Sequence, residues 1–215
     1  MSLWAIIPVK PLILAKSRLA HVLLPEERYL LAQAMFRHVL SVVMTAETIT
    51  GALVISRDTK ALSIARELGA KTLQESADSS LNPALLRATM VLQAWRADAV
   101  LVLPADLPFI NGEDIDQMVD LSTESSIVIA TDSEEDGTNA LLARPPGAIM
   151  YTYGAGSYAR HIEAAEQRGI AVRRYDSPRT KLDIDVPADL HSYQRIIARG
   201  GYDYLPALNP IQDIR

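Results

Sequence analysis

Three aspartates sit where carboxylates are chemically useful. Asp106 follows the apolar run Ala99-Val100-Leu101-Val102-Leu103, within Leu103-Pro104-Ala105-Asp106-Leu107-Pro108. Two prolines stiffen the exit of that run and leave the carboxylate at a sheet edge, a position that suits a metal ligand. The plainer alternative is a turn aspartate bonded to its own backbone. Asp183 and Asp185 lie in Leu182-Asp183-Ile184-Asp185-Val186-Pro187. On an extended strand, residues two apart point to the same side, so both carboxylates can face one cation. Like charges held that close call for a metal or an arginine between them; the alternative is a surface strand with Asp185 as a turn residue. With no cysteine, the chain has no disulfide frame, thiolate zinc, iron–sulfur cluster or thiol nucleophile. His21, His38, His161 and His191 show no metal-binding pairing. Oxygen ligands select a hard cation, so magnesium is the expected cofactor.

Two segments could hold anions. Lys10, Lys16 and Arg18 lie in Pro8-Val9-Lys10-Pro11 and Ala15-Lys16-Ser17-Arg18-Leu19, directly after the first apolar run. Three cations there could hold a triphosphate, although the loop carries neither the phosphate-binding G-x-x-x-x-G-K-[ST] nor the dinucleotide G-x-G-x-x-G pattern. Gly154-Ala155-Gly156-Ser157 opens a helical stretch, where flexible glycines let backbone N–H groups converge on a phosphate. Thr138, in Asp136-Gly137-Thr138-Asn139, adds a hydroxyl. Taken singly, each reads as an ordinary loop or turn.

The elements that must position these residues alternate in type. Strand-length apolar runs occur at residues 4–9, 52–56, 99–103, 127–130 and 138–143, with helical periodicity between them. Pro25 with Glu26 and Glu27 opens a first helix; Asp58 caps residues 59–68 before Gly69; Asn82-Pro83 starts a helix reaching about Trp95. Asn111 caps residues 112–121, Ser157 caps a helix ending near Gly169, and Pro187 opens a last helix through Ala198. This alternation predicts a single-domain α/β fold with a doubly wound, mostly parallel sheet, whose ligands gather beyond the carboxyl ends of the strands. Residues 1–199 form the expected domain, and residues 200–215 read as a C-terminal tail and candidate homodimer interface. The acidic run Asp132-Ser133-Glu134-Glu135-Asp136 reads as a solvated loop.

At 215 residues with 49% apolar and 22% charged residues, the chain has the composition of a globular protein. A soluble, cytoplasmic protein is expected, since the N-terminus shows no basic leader and no apolar run is long enough to span a membrane. Net charge is −5 and the cations are scattered, which argues against a nucleic-acid or membrane partner.

The ordered set of motifs resembles the 2-phospho-L-lactate / phosphoenolpyruvate guanylyltransferase family of coenzyme F-420 biosynthesis. It comprises Pro8-Val9-Lys10, Ala15-Lys16-Ser17-Arg18-Leu19, Leu81-Asn82-x-Ala84-Leu85, Leu103-Pro104-Ala105-Asp106-Leu107-Pro108, Asp136-Gly137-Thr138-Asn139, Gly154-x-Gly156-Ser157 and Leu182-Asp183-Ile184-Asp185. The resemblance implies a Rossmann-like fold similar to nucleotide-diphospho-sugar transferases, binding GTP with magnesium and a small phosphorylated three-carbon acid. It implies that Thr138, Gly154 and Ser157 bind the acid, and that Asp106, Asp183 and Asp185 hold magnesium. Lys10, Lys16 and Arg18 would meet the triphosphate, Asn82 would lie near the nucleoside, and Asp106 and Lys16 would be catalytic. Pro83, and Tyr158 where the family often has Phe, depart from the pattern. The alternatives are another nucleotidyltransferase of this fold with a molybdopterin or sugar-phosphate acceptor, and a non-catalytic nucleotide-binding domain. The glycine-free stretch Pro8–Leu19 counts against the first, which usually carries G-x-G-x-R-M there.

Overall fold

A computed structural model describes residues 1–75 and 80–200. Its centre is β1 (Leu3–Val9), flanked by β2 (Gly51–Ser56) and β4 (Ala99–Val102). The full sheet has seven strands in the order β3-β2-β1-β4-β6-β5-β7, adding β3 (Lys71–Gln74), β5 (Ser126–Thr131), β6 (Thr138–Arg144) and β7 (Ala171–Arg174). Strands β1 to β4 are mutually parallel, β5 pairs with β7 in parallel, and β6 runs antiparallel to both β4 and β5. The α/β, mostly parallel sheet expected from the sequence is therefore present.

Helices cover both faces, which is why the central strands are apolar throughout instead of alternating. Ala5 and Ile7 of β1 face one layer, formed by α1 (Pro25–Thr45), α2 (Thr59–Glu67) and α4 (Gly112–Leu121). Ile6 faces the other, formed by α3 (Leu81–Ala94) and α5 (Ser157–Glu166). A third buried cluster lies beside the sheet: Leu19, Leu31, Met35, Phe109, Ile184 and Tyr193 pack α6 (Pro187–Ala198) against α1. Phe109 and Tyr193 stack there with ring centroids 5.1 Å apart.

Most helix ends follow the expected chemistry. Asp58 Oδ1 accepts from the Lys60 N–H at 2.9 Å at the start of α2, and Gly69 (φ 87°) supplies the left-handed turn after it. Asn111 and Asp114 cap each other's N–H groups at the start of α4.

Several readings need correction. β3 and β7 were not expected: both are partly exposed edge strands, so they lack the continuous apolar run that marks a strand covered on two faces. Asp183 and Asp185 lie in an irregular segment and not on a strand. Ser157 is the first helical residue of α5, with Gly156 (φ 69°) as its cap, and α3 begins at Leu81 with Ser80 in the cap position. The acidic loop is organised: the Asp132 carboxylate accepts from the backbone N–H groups of Glu134, Asp136 and Gly137. Residues 201–215 of the expected tail lie outside the described residues.

Candidate active site

The carboxyl ends of β1, β2 and β4 open into a cleft of about 570 Å³, lined among others by Lys10, Lys16, Ser80, Asp106, Tyr153 and Asp185. This is the edge of an open parallel sheet where ligands are held.

One charged array dominates it. The Lys16 ammonium donates to Asp106 Oδ2 at 2.6 Å and lies 3.8 Å from Asp185 Oδ1. Its side chain is only 7% exposed, so the charge depends on these partners; an uncompensated buried charge costs about 3–5 kcal/mol. Lys16 also adopts the left-handed backbone conformation (φ 55°), which a non-glycine residue holds only where its surroundings enforce it. Arg18 Nη1 reaches Asp185 Oδ2 at 2.9 Å.

Buried apolar residues between the charges bring these segments together. Leu19 follows the basic loop and Ile184 separates the two acids; both are fully buried in the third cluster with Phe109, which follows the Asp106 turn. The Ile184 N–H donates to the Asp106 carbonyl at 3.2 Å, tying one acidic loop to the other. Asp183 lies deeper. Burial, and then the facing Asp106 carboxylate, push its carboxyl up to about 6, against the opposing effects of Lys16 and the Asn139 amide. Asn139 Nδ2 lies 3.4 Å from Asp183 Oδ1 and donates to the Thr180 carbonyl at 2.9 Å.

The donor set suits a hard cation in kind, because its members are carboxylates and two of them repel each other. Among the described residues, no three acidic or imidazole groups are gathered at metal-ligand spacing, and the Lys16 ammonium holds the place between Asp106 and Asp185.

Thr138, Gly154 and Ser157 form a second group. Ser157 Oγ lies 3.1 Å from Thr138 Oγ1, which lies 3.0 Å from His161 Nδ1. His161 Nε2 accepts from the Thr152 N–H at 2.9 Å, and burial, followed by the Arg160 charge, lowers its pKa to about 4. Three N–H groups at the start of α5 are spent within the chain: Gly156 on the Asp136 carboxylate, Ser157 on the Gly154 carbonyl, Tyr158 on the Asp136 carbonyl. The Ser157 N–H itself and its two neighbours, expected to be free at this helix start, are therefore occupied. Gly154 (φ 125°) and Gly156 (φ 69°) occupy backbone conformations that favour glycine.

The two groups meet at Tyr153. Asn82 bonds both backbone groups of Tyr153, through its amide to the carbonyl (3.2 Å) and its oxygen from the N–H (2.8 Å). The Tyr153 ring lines the cleft and packs edge-on to His161 at 4.9 Å.

The structure thus brings Lys16, Arg18, Asp106 and Asp185 into one array with Asp183 beside it and Lys10 on the same cleft. Asn82 bonds the Tyr153 backbone, and Thr138 and Ser157 join His161, which packs on the Tyr153 ring, with Gly154 next to Tyr153 in sequence. Sequence reasoning missed four contributors. The sequence offers His161 only as a metal ligand, Asn139 only as the last residue of Asp136-Gly137-Thr138-Asn139, and Tyr153 in no motif. Asp114 was missed although its place three residues after Asn111 marked a cap. Fully buried, it accepts from Tyr175 Oη and Ser177 Oγ, both at 2.8 Å, and from Arg179 Nε at 2.8 Å, pinning the segment that leads to Asp183.

A family model described as guanylyl transferase CofC like matches residues 3–204. A phosphoenolpyruvate guanylyltransferase of Rubrobacter xylanophilus is 41% identical over 207 residues, covering 96% of this chain and 98% of that protein. A 2-phospho-L-lactate guanylyltransferase of Methanothermobacter thermautotrophicus is 37% identical over 190 residues, covering 88% and 83%. In fold alone, the chain is similar to a cytidylyltransferase from Leptospira borgpetersenii, with a TM-score of 0.64 at 15% identity, covering 99% of this chain and 94% of that one.

Proposed function

Because the chain belongs to the CofC-like guanylyl transferase family, we propose that it joins GTP to phosphoenolpyruvate, releasing pyrophosphate and giving a guanosine diphosphate-linked acid for coenzyme F-420 biosynthesis. The observation that carries this reading is the Lys16–Asp106–Asp185–Arg18 array at the mouth of the cleft, which combines cations for a triphosphate with carboxylates for a metal. Phosphoenolpyruvate is preferred over 2-phospho-L-lactate because relatives at 41% and 38% identity carry the former name.

Charge governs the chemistry. The acceptor phosphate has a second pKa of about 6 and is largely ionised at neutral pH, so it attacks without a general base. A bond forms between its oxygen and the α-phosphorus of GTP, the bond from that phosphorus to the β-phosphate oxygen breaks, and pyrophosphate leaves. The protein's task is in-line alignment and neutralisation of two polyanions. Lys10, Lys16 and Arg18 bind the triphosphate, and Lys16 exchanges Asp106 for phosphate oxygens as it does so. Asp106, Asp183 and Asp185 would hold magnesium, which when bound neutralises the triphosphate and the leaving group. Asn82 acts on the nucleoside side through Tyr153, which it holds against the cleft. Thr138, Gly154 and Ser157 receive the acid. The catalytic unit is residues 1–199.

The test is a competition of phosphoenolpyruvate, 2-phospho-L-lactate and 3-phosphoglycerate for GTP in one reaction, read by product mass. The phosphoenolpyruvate adduct should dominate. Dominance of either other adduct contradicts the acceptor assignment.

A further inference from the structure

The Thr138–Ser157–His161 network can be solved for its protons. A backbone N–H only donates, so the Thr152 N–H obliges His161 Nε2 to accept, and the remaining ring nitrogen of the neutral imidazole, Nδ1, carries the hydrogen. Nδ1–H therefore donates to Thr138 Oγ1. The Ser157–Thr138 contact uses one more hydrogen. Two hydroxyls and Nδ1–H bring three hydrogens to two contacts, so one hydroxyl hydrogen is left without an acceptor. It is a buried one: Thr138 is 5% exposed, Ser157 1% and His161 0%. In the opposite tautomer Thr138 would donate to Nδ1 and Ser157 to Thr138, so no hydroxyl hydrogen would be left over, but Nε2–H would face the Thr152 N–H, donor against donor. The surplus donor exists only because the Thr152 N–H selects the tautomer.

A second observation marks the same neighbourhood. Thr152 Oγ1 and Tyr153 Oη, in the segment that bonds His161 and packs on its ring, are also buried without a partner. Buried hydroxyls with unspent hydrogens are matched to an anionic oxygen, which only accepts. The backbone N–H groups of Gly156, Ser157 and Tyr158 are already spent, so the hydroxyls are the donors that Ser157 and Thr138 can offer.

We propose that His161 is a positioning residue for the acceptor: by donating from Nδ1 to Thr138, it commits one hydroxyl hydrogen of the Thr138–Ser157 pair to a phosphate or carboxylate oxygen of the bound acid. This rests on the reading that Thr138 and Ser157 receive the acid. His161 itself touches no substrate; it acts by fixing which way the hydroxyls donate.

Two measurements test it. On the free protein labelled with 15N-histidine, a two-bond 1H–15N spectrum at pH 7, with His161 assigned by its loss in His161→Gln, should show the Nδ1–H tautomer. Saturation curves for phosphoenolpyruvate and GTP are then compared for the parent, His161→Gln and His161→Asn. Gln places its amide to meet Thr152 but not Thr138, whereas the Asn amide N–H sits near the Nδ1 position and can still donate to Thr138. His161→Gln should raise the KM for the acid about tenfold with little change for GTP, and His161→Asn should recover most of the loss. An Nε2–H tautomer, or equal losses for both substrates, or Asn as impaired as Gln, overturns the proposal. Should the parent show the Nδ1–H tautomer but bind no phosphoenolpyruvate, the acceptor reading is refuted and the proposal with it. An Nε2–H tautomer with intact binding of the acid refutes the proposal alone.

Discussion

Asp106 makes two connections at once, accepting from the Lys16 ammonium through its carboxylate and from the Ile184 N–H through its carbonyl. Only the first involves the side chain. Asp106→Asn should therefore keep the fold and lose the chemistry: we expect turnover to fall by a factor of at least about 100 at saturating magnesium, with far-UV circular dichroism unchanged. Turnover within about threefold of the parent would defeat the assignment. His161 gives a second prediction with a defined sign. Its folded pKa, about 4, lies below the ordinary 6.5 because burial, and then the Arg160 cation, disfavour the charged ring. Between those values the unfolded chain binds a proton that the folded one refuses, so stability is complete above about pH 6.5, declines as pH falls towards 4, and levels off below. The histidine contributes a loss of about 2 kcal/mol between pH 7 and pH 5, to be read as the difference in urea unfolding between the parent and His161→Gln. An equal pH dependence in both proteins would show that His161 is not the group responsible.

The third apolar cluster turns scattered sequence motifs into a site. Leu19 and Ile184 are buried in it, and the charged residues beside them are held in register as a consequence. Ile184→Ala should cost about 2–5 kcal/mol of stability and lower turnover further than a surface change of equal destabilisation, while Ile184→Val should cost about 0.5–1.5 kcal/mol. Denaturant melts paired with turnover at a temperature where both variants are folded check this; full activity in folded Ile184→Ala would break the link between cluster and site. At this scale the limits of sequence reading are physical. Strands β1, β2 and β4 were legible because burial on two faces writes an uninterrupted apolar run, and β5 and β6 for the same reason. The edge strands β3 and β7 leave no such mark. Asp58, Gly69 and Asn111 announced helix ends because their short-range chemistry is local. The site's cations and acids were legible as types, yet the Lys16–Asp106 pair joins residues 90 apart in sequence, and no local pattern encodes it. The Asp183–Asp185 spacing suggested a strand, whereas the observed anchor is Ile184 between them. The N–H groups expected to be free around Ser157 are partly taken because Asp136, part of an acidic run that reads as solvated, already bonds those of Gly156 and Tyr158.

Across the whole molecule, the sheet gathers its chemistry at one end. The carboxyl ends of β1, β2 and β4 open on the cleft, and the antiparallel β6 begins near it, bringing Thr138 and Asn139 to the same end. That layout explains why a chain of net charge −5 can still receive polyanions: the cations that matter are local and the carboxylates around them are paired. Guanylyl transfer to a phosphorylated acid can be read from pyrophosphate release with each of the four nucleoside triphosphates, with and without phosphoenolpyruvate. Release from GTP should depend on phosphoenolpyruvate and exceed release from ATP, CTP and UTP. Equal release from ATP, or release from GTP that ignores the acid, would contradict it.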